Sequence, residues 1–244
     1  MVEWLDNLMR ETVVLVPTYN NPKTIKAVAK DLQNHQYEII IIDDGSDENI
    51  EAMFSEDERE NIHFVTHTVN SGKGSAIMSG MKKAKELGYT HAGSIDGDGQ
   101  HLAQEMPKLT AVYEEDSILI GARNLDMTNV PFVSKFGRWF SNFWAKWDTG
   151  YPIEDSLSGY RIYPISILDL PIKTSRFDWE MEVLVRHADS GRKIQEATIE
   201  CYYPNPEDRV SHFTDMDTLA IVWVHIQILP FKWPRMLLNK ILGK

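Results

Sequence analysis

The stretch TVVLVPTYNNPKTIKAVAKDLQNHQYEIIIIDDGS, residues 12–46, decides the fold. Its two ends, TVVLVPTYN (12–20) and YEIIIIDDGS (37–46), are short apolar, β-branched runs that close on polar residues. Apolar runs without alternation are what strands buried on both faces of a parallel sheet look like. Between them Ile25, Val28, Ala29 and Leu32 recur at helical spacing over residues 22–33, and Pro22 suits a first turn. Strand, helix and strand in this order make a β-α-β unit.

Outward from this unit the pattern repeats. HFVTH (63–67) precedes a helical period over 72–88 that Gly88 stops, HAGSI (91–95) leads into an acidic turn, and SILIGAR (117–123) follows a helical stretch at 105–115. Strands alternating with helices predict an α/β chain with an open, mostly parallel, Rossmann-like sheet and helices on both faces. Ligands of such sheets collect at the carboxyl ends of the strands, and PTYN, DDGS, NSGKG and DGDGQH all fall there. No repeat or long linker divides the chain. Residues 1–244 therefore read as one domain, with a nucleotide-binding half to about residue 125 and a more helical, aromatic half over 126–244.

A formal net charge of −11 argues against nucleic acid as a partner, because phosphate backbones demand a basic surface. The single cysteine, Cys201, excludes an intrachain disulfide and suits a reducing compartment. The opening MVEWLDNLMR lacks the pattern of a secretory signal, and no run reaches 18 uninterrupted apolar residues, so no membrane-spanning helix is expected.

The loops carry the chemistry. Asp43 and Asp44 suit hydrogen bonds to a ribose or a base and Tyr19 could pack on the base, although DDGS is also a good turn and helix start. NSGKG (70–74) lacks Walker A spacing, but Gly72 and Gly74 permit close backbone approach and Lys73 adds charge. In SIDGDGQH (94–101), Asp96 and Asp98 could present two carboxylates on one side of a loop to a hard divalent cation, with Gln100 as a neutral oxygen ligand and His101 beside them. Mg²⁺ or Mn²⁺ fits this oxygen set better than zinc, for which no Cys/His cluster exists. An Asp- and Gly-rich tight turn is the competing reading.

In this order PTYNN, IDDGS, NSGKGSAI, DGDGQH and DSLSGYR resemble a family 2 glycosyltransferase of the GT-A fold, closest to the branch of polyprenol-phosphate mannosyl- and glucosyltransferases. The resemblance spans roughly residues 12–165. It implies that Pro17, Tyr19, Asn20, Asp43 and Asp44 line a nucleoside pocket, and that Asp96, Asp98 and Gln100 bind the metal and the donor's diphosphate. The Asp–Gly alternation would let that diphosphate approach the backbone. Arg123 would face donor or acceptor, and Asp155 and Arg161 match the later D-x-x-S-G-[FY]-R element. The implied reaction is hexosyl transfer with inversion from a UDP- or GDP-sugar, the cation stabilising the departing nucleoside diphosphate. A hydroxyl acceptor would need a base, for which Asp155 is the candidate; a lipid phosphate would need none, leaving Asp155 to position groups.

The second half bears on the acceptor. PFVSKFGRWFSNFWAKW (131–147) puts Phe132, Phe136, Trp139, Phe140, Phe143, Trp144 and Trp147 along one helical side, with Lys135, Arg138 and Lys146 and no acid. Such a helix suits a membrane interface or a lipid channel, and equally a helix docked on the sheet. Arg138 and Ser141 are candidate phosphate contacts. The end of the chain, 218–244, carries Lys232, Arg235, Lys240 and Lys244 without Asp or Glu, consistent with contact to anionic headgroups. The expected setting is therefore cytoplasmic, peripheral on the inner face of a membrane. Three departures from the lipid-phosphate branch bear on the acceptor: Asn21 in place of Glu, PNPEDRVSHF (204–213) with Arg209 and Ser211 but no G-x-S-K ending, and no appended membrane domain. Asp178, Glu180 and Glu182 read best as a solvated helix face. A non-catalytic sugar-nucleotide or lipid-binding scaffold is the alternative function. A nucleotidyltransferase is disfavoured by the missing G-x-G-T-R type loop.

Overall fold

A computed structural model describes residues 8–124 and 132–201, with side chains omitted for 132–136. The expectations for Arg209, Ser211, the basic C-terminal stretch and the side chains of Phe132, Lys135 and Phe136 lie outside the described residues.

Seven strands form one sheet: β1 (Thr12–Thr18), β2 (Ile39–Asp43), β3 (Ile62–Thr66), β4 (His91–Ser94), β5 (Ile118–Arg123), β6 (Arg161–Pro164) and β7 (Ile194–Ile199). Their order is β3-β2-β1-β4-β6-β5-β7. All are parallel to their neighbours except β6, which runs antiparallel to both β4 and β5. Every residue of β1 and β2 is buried, as apolar runs without alternation require. Alternate side chains leave the sheet on opposite faces. Leu15, Ile40 and Ile42 join one core with Ile77 and Met81 of α2 (Lys73–Glu86) and Trp179 of α5 (Trp179–Asp189). Val14, Val16, Ile39 and Ile41 join the other with Ile25, Val28 and Leu32 of α1 (Ile25–Asn34) and Met106 of α3 (Met106–Thr110). Helices on both faces are thus present as the pattern required. The helical stretch at 105–115 contracts to the five residues of α3, preceded by a 3-10 turn at Ala103–Glu105.

β6 assembles the site. Because it is antiparallel to β4, with Ser94 opposite Arg161, the loop that enters β6 lies beside the loop that leaves β4. β5 ends at the same edge, since Ile120 also pairs with Arg161 and Arg123 lies three residues further on. The DGDGQH loop, the DSLSGYR loop and Arg123 therefore converge. A fourth contributor, α4 (Phe132–Thr149), packs against α5 and brings Arg138 to this edge.

Candidate active site

The acidic loop is pinned from several sides. Thr24 Oγ1 donates to the Gly97 carbonyl at 2.6 Å, Tyr160 Oη donates to the Leu102 carbonyl at 3.0 Å, and the Tyr160 ring meets the His101 ring edge-on. Gly97 lies so near β1 that a Cβ would sit 3.2 Å from the Pro17 carbonyl oxygen, and Gly99 has φ +80°. The turn itself thus favours glycine at 99, and at 97 a side chain would need the Pro17 carbonyl to give by a few tenths of an ångström. Pro17 closes the strand where β1 has parted from β4, whose last pair is Leu15 with Ser94, so its missing N–H leaves no ladder bond unmade.

Asp96 faces Lys73, whose Nζ lies 2.6 Å from Asp96 Oδ1 and 2.8 Å from Glu180 Oε1. Burial disfavours charge on both partners of the Lys73–Asp96 pair, but their attraction outweighs it. Lys73 is held above its ordinary range, and Asp96 falls to about 2. His101, buried and pushed down to about 4, is neutral near pH 7; its Nδ1 accepts the Asp96 N–H at 3.3 Å. Asp98 differs. Its Oδ1 accepts the Gln100 N–H at 3.0 Å, and burial, then the neighbouring Asp96 charge, lift it to about 6.

On the other side of the acidic loop stands an arginine cluster. Arg123 Nε and Nη2 donate to Asp155 Oδ2 and Oδ1 at 2.7 and 2.9 Å, and the Arg123 N–H adds a bond of 3.2 Å. Arg138 Nη2 lies 3.3 Å from Asp155 Oδ2. Asp155 is fully buried; the arginines overcome burial and hold its carboxyl below the ordinary range. Arg138 Nη1 is buried and has no hydrogen-bond partner among the described residues. Arg123 is close enough to act electrostatically on Asp96 and Asp98, so the two clusters form one field.

A model of "Glycosyl transferase family 2" matches residues 13–153, more than half the chain and every strand from β1 through β5. The chain belongs to this family. It is 31% identical over 213 residues to a UDP-N-acetylglucosamine–dolichyl-phosphate N-acetylglucosaminyltransferase of Methanococcus voltae, covering 78% of this chain and 85% of that one. It is 24% identical over 200 residues to an undecaprenyl-phosphate mannosyltransferase of Micrococcus luteus, covering 77% and 82%. Among solved structures it is similar to glucosyl-3-phosphoglycerate synthase of Mycobacterium tuberculosis in complex with Mn²⁺, UDP-glucose and phosphoglyceric acid. There the TM-score is 0.67 at 15% identity, over 92% of this chain and 83% of that one, a likeness of fold. This glycosyltransferase thus has the GT-A fold and the polyprenol-phosphate branch as its relatives.

The donor set of this glycosyltransferase fits a hard divalent cation in a limited way. Among the described residues no three His, Cys, Asp or Glu side chains are grouped to hold a metal. Asp96 is already compensated by Lys73, whereas Asp98 has a destabilised charge that a cation would relieve. One or two carboxylates with most ligands left to phosphate and water is the way Mg²⁺ is usually held.

Several expected site residues serve the frame. Arg161 is fully buried and donates to three backbone carbonyls, those of Ser158, Glu180 and Ser156, at 2.7–2.8 Å; it ties the DSLSG loop to α5 and has no nitrogen left for substrate. Asp44 spends both oxygens on its own loops, accepting from His67 Nδ1, Ser71 N and Gly72 N at 2.7–2.9 Å. Asn20 exchanges hydrogen bonds with Asp47 and donates its N–H to Ser46 Oγ, lacing β1's loop to β2's. Asp43 Oδ1 accepts the Ser46 N–H at 2.9 Å. Ser141 is buried and shares a hydrogen bond with Ser156 Oγ at 3.0 Å, so it supports the loop instead of facing a phosphate. Gly72 and Gly74 are close to protein, not open to a phosphate: a Cβ on Gly74 would lie 2.3 Å from Trp179 Cβ. Tyr19 is half-buried at the end of β1.

Of the three acids Asp178, Glu180 and Glu182, two are buried and not part of a solvated helix face. Glu180 is buried against Lys73, and Glu182 is buried while accepting the N–H groups of Lys173 and Thr174. The helical period could have found Glu180, which shares one face with the buried Val183, Leu184 and His187, but not Glu182, which lies on the opposite side of the helix. Gly159 escaped notice too. A Cβ there would meet Lys73 Nζ at 2.5 Å and both Asp96 oxygens at 2.7–2.8 Å, so the Gly of DSLSGYR is the wall of the Lys73–Asp96 pair.

Proposed function

We propose that this glycosyltransferase is metal-dependent and inverting, and moves a sugar from a UDP- or GDP-sugar to a polyprenol phosphate or another lipid-linked acceptor on the cytoplasmic face of a membrane. The single observation that carries the reading is the pairing of two unlike clusters at one sheet edge. Asp98 is a carboxylate in need of a cation, and Arg138 Nη1 is a buried donor in need of an anion. The activities of the Methanococcus and Micrococcus relatives, both toward polyprenyl phosphates, support this choice of acceptor. Mn²⁺ in the mycobacterial structure supports the cation.

When bound, the cation would neutralise the departing diphosphate. Asp98, Asp96 and Gln100 would hold it, and Lys73, kept charged by Asp96 and Glu180, would stay beside them. Asp43, Tyr19 and Pro17 would form the nucleoside end at the termini of β1 and β2. Arg123 and Arg138 would hold the acceptor phosphate, whose oxygen is already anionic and needs no base. Asp155 then orients both guanidinium groups and takes no proton. Among the described residues no helix is long and apolar enough to cross a membrane.

The test is product formation by the purified protein from UDP- or GDP-sugars and a polyprenyl phosphate, with Mg²⁺ or Mn²⁺ and with EDTA. Transfer from one donor class that EDTA abolishes is the expected result. Transfer undiminished by EDTA would overturn the metal, and transfer only to a neutral alcohol would overturn the acceptor.

A further inference from the structure

Five large hydrophobic side chains are exposed among the described residues, and three of them stand on one edge of α4: Trp139, Phe143 and Trp147, 61%, 45% and 48% exposed. Spaced four residues apart, they stack as a ladder, with Trp139 and Phe143 ring centroids 5.9 Å apart at 23° and Phe143 and Trp147 6.4 Å apart at 22°. The opposite edge of the helix is committed to the protein through buried Ser141, Ala145 and Asp148. Asp148 is the one acid in the α4 sequence, so the exposed edge carries no carboxylate of its own, and exposed Lys146 lies beside Trp147. Lys146 pairs with Glu154 on the flank.

We infer that this ladder is the face by which the protein docks on an anionic lipid surface; the inference rests on the lipid-linked acceptor proposed above and names the surface that would reach it. Three observations select a bilayer. The first is area: three aromatics about half exposed offer roughly 300 Å², well below the roughly 800 Å² per partner of a stable protein interface. The second is chemistry. Trp and Phe are suited to the boundary between headgroups and acyl chains, and the helix places a lysine but no carboxylate of its own on that edge, the exposed Lys146–Glu154 pair being one that anionic headgroups can compete for. The third is place. Trp139 directly follows Arg138, whose Nη2 reaches Asp155, so one helix carries both the exposed ladder and, about 100° round its axis, a member of the arginine cluster that would take the lipid's phosphate.

The test uses the full chain, the triple variant W139S/F143S/W147S and vesicles of phosphatidylcholine with or without phosphatidylglycerol. All three positions are exposed, and an unchanged thermal transition verifies folding. The wild type is expected to sediment with the anionic vesicles, and the triple variant to bind them at least about tenfold more weakly. Transfer to a long-chain polyprenyl phosphate embedded in those vesicles should fall with binding, while transfer to a short-chain, water-soluble prenyl phosphate stays at the wild-type rate. Vesicle binding equal in both proteins would overturn the inference, as would a wild-type dimer that the triple variant converts to monomer. Failure of the acceptor reading looks different: the wild type would bind vesicles through the ladder and yet glycosylate neither prenyl phosphate.

Discussion

Replacing Asp155 by Asn separates a base from an orienting carboxylate. Asn has nearly the same shape but no charge, and would leave Arg123 and Arg138 facing one another around a fully buried neutral amide. Breaking a buried ion pair from one side costs about 3–5 kcal/mol. In a chain of this size each kcal/mol moves the melting temperature by roughly 2–4 °C, so a fall of about 6–20 °C is expected. The pH dependence has a definite sign. The arginines hold the folded-state pKa of Asp155 below its unfolded value of about 3.9, so its stabilisation is complete above that value and is lost as pH falls through the folded one. The gap between wild type and D155N, followed by thermal denaturation across pH, should therefore be full at pH 6–8 and close below about pH 4. In kinetics the variant should show a raised KM for the acceptor phosphate, with the acid limb of the rate profile unmoved. The reasoning fails if D155N melts like the wild type while kcat drops about a thousandfold at unchanged KM, the pattern of a lost general base.

Asp98→Ala should keep the fold, since its oxygen accepts one local N–H, but should lose the Mn²⁺-dependent rise in melting temperature with a nucleoside diphosphate; a shift of wild-type size would remove Asp98 from the cation site. Arg161→Met should destabilise by roughly 3 kcal/mol or more through three orphaned carbonyls, with denaturant melts as the measure; a wild-type melt with a raised KM would return Arg161 to the substrate. Gly74→Ala should cost about 1–3 kcal/mol by driving α2 from Trp179, whereas Gly88→Ala, with open space around it, meets no neighbour and differs only through its φ of +90°.

The central strands were legible because burial on both faces leaves an uninterrupted apolar run, and β1 and β2 are such runs. β6 and β7 were not. RIYP is four residues long, with a buried arginine at its start, and IQEATI mixes polar and apolar residues on an edge strand whose middle is only half-buried. Their place in the sheet depends on partners distant in sequence, which local pattern does not encode. The motif residues were legible as a set, and the division of labour among them was not. DSLSGYR contains one buried carboxylate that gathers arginines, one arginine that binds only backbone, and one glycine that walls an ion pair; composition is silent on which is which.

The division follows from charge balance in space. In the acidic cluster Lys73 is shared by Asp96 and Glu180, and Asp98 is left with a charge that its surroundings penalise. In the arginine cluster two guanidinium groups share one carboxylate, and Arg138 retains an unmet donor. One cluster is short of positive charge and the other of negative, although the chain as a whole carries −11. A protein without a ligand relieves such imbalances when it can, because buried unpaired charge is costly. Keeping both, adjacent and of opposite sign, lowers stability, as expected of a site kept for the two counterions proposed above. The antiparallel β6 makes this possible: a parallel strand in its place would carry the DSLSGYR loop to the far edge of the sheet and leave the two imbalances a strand's length apart.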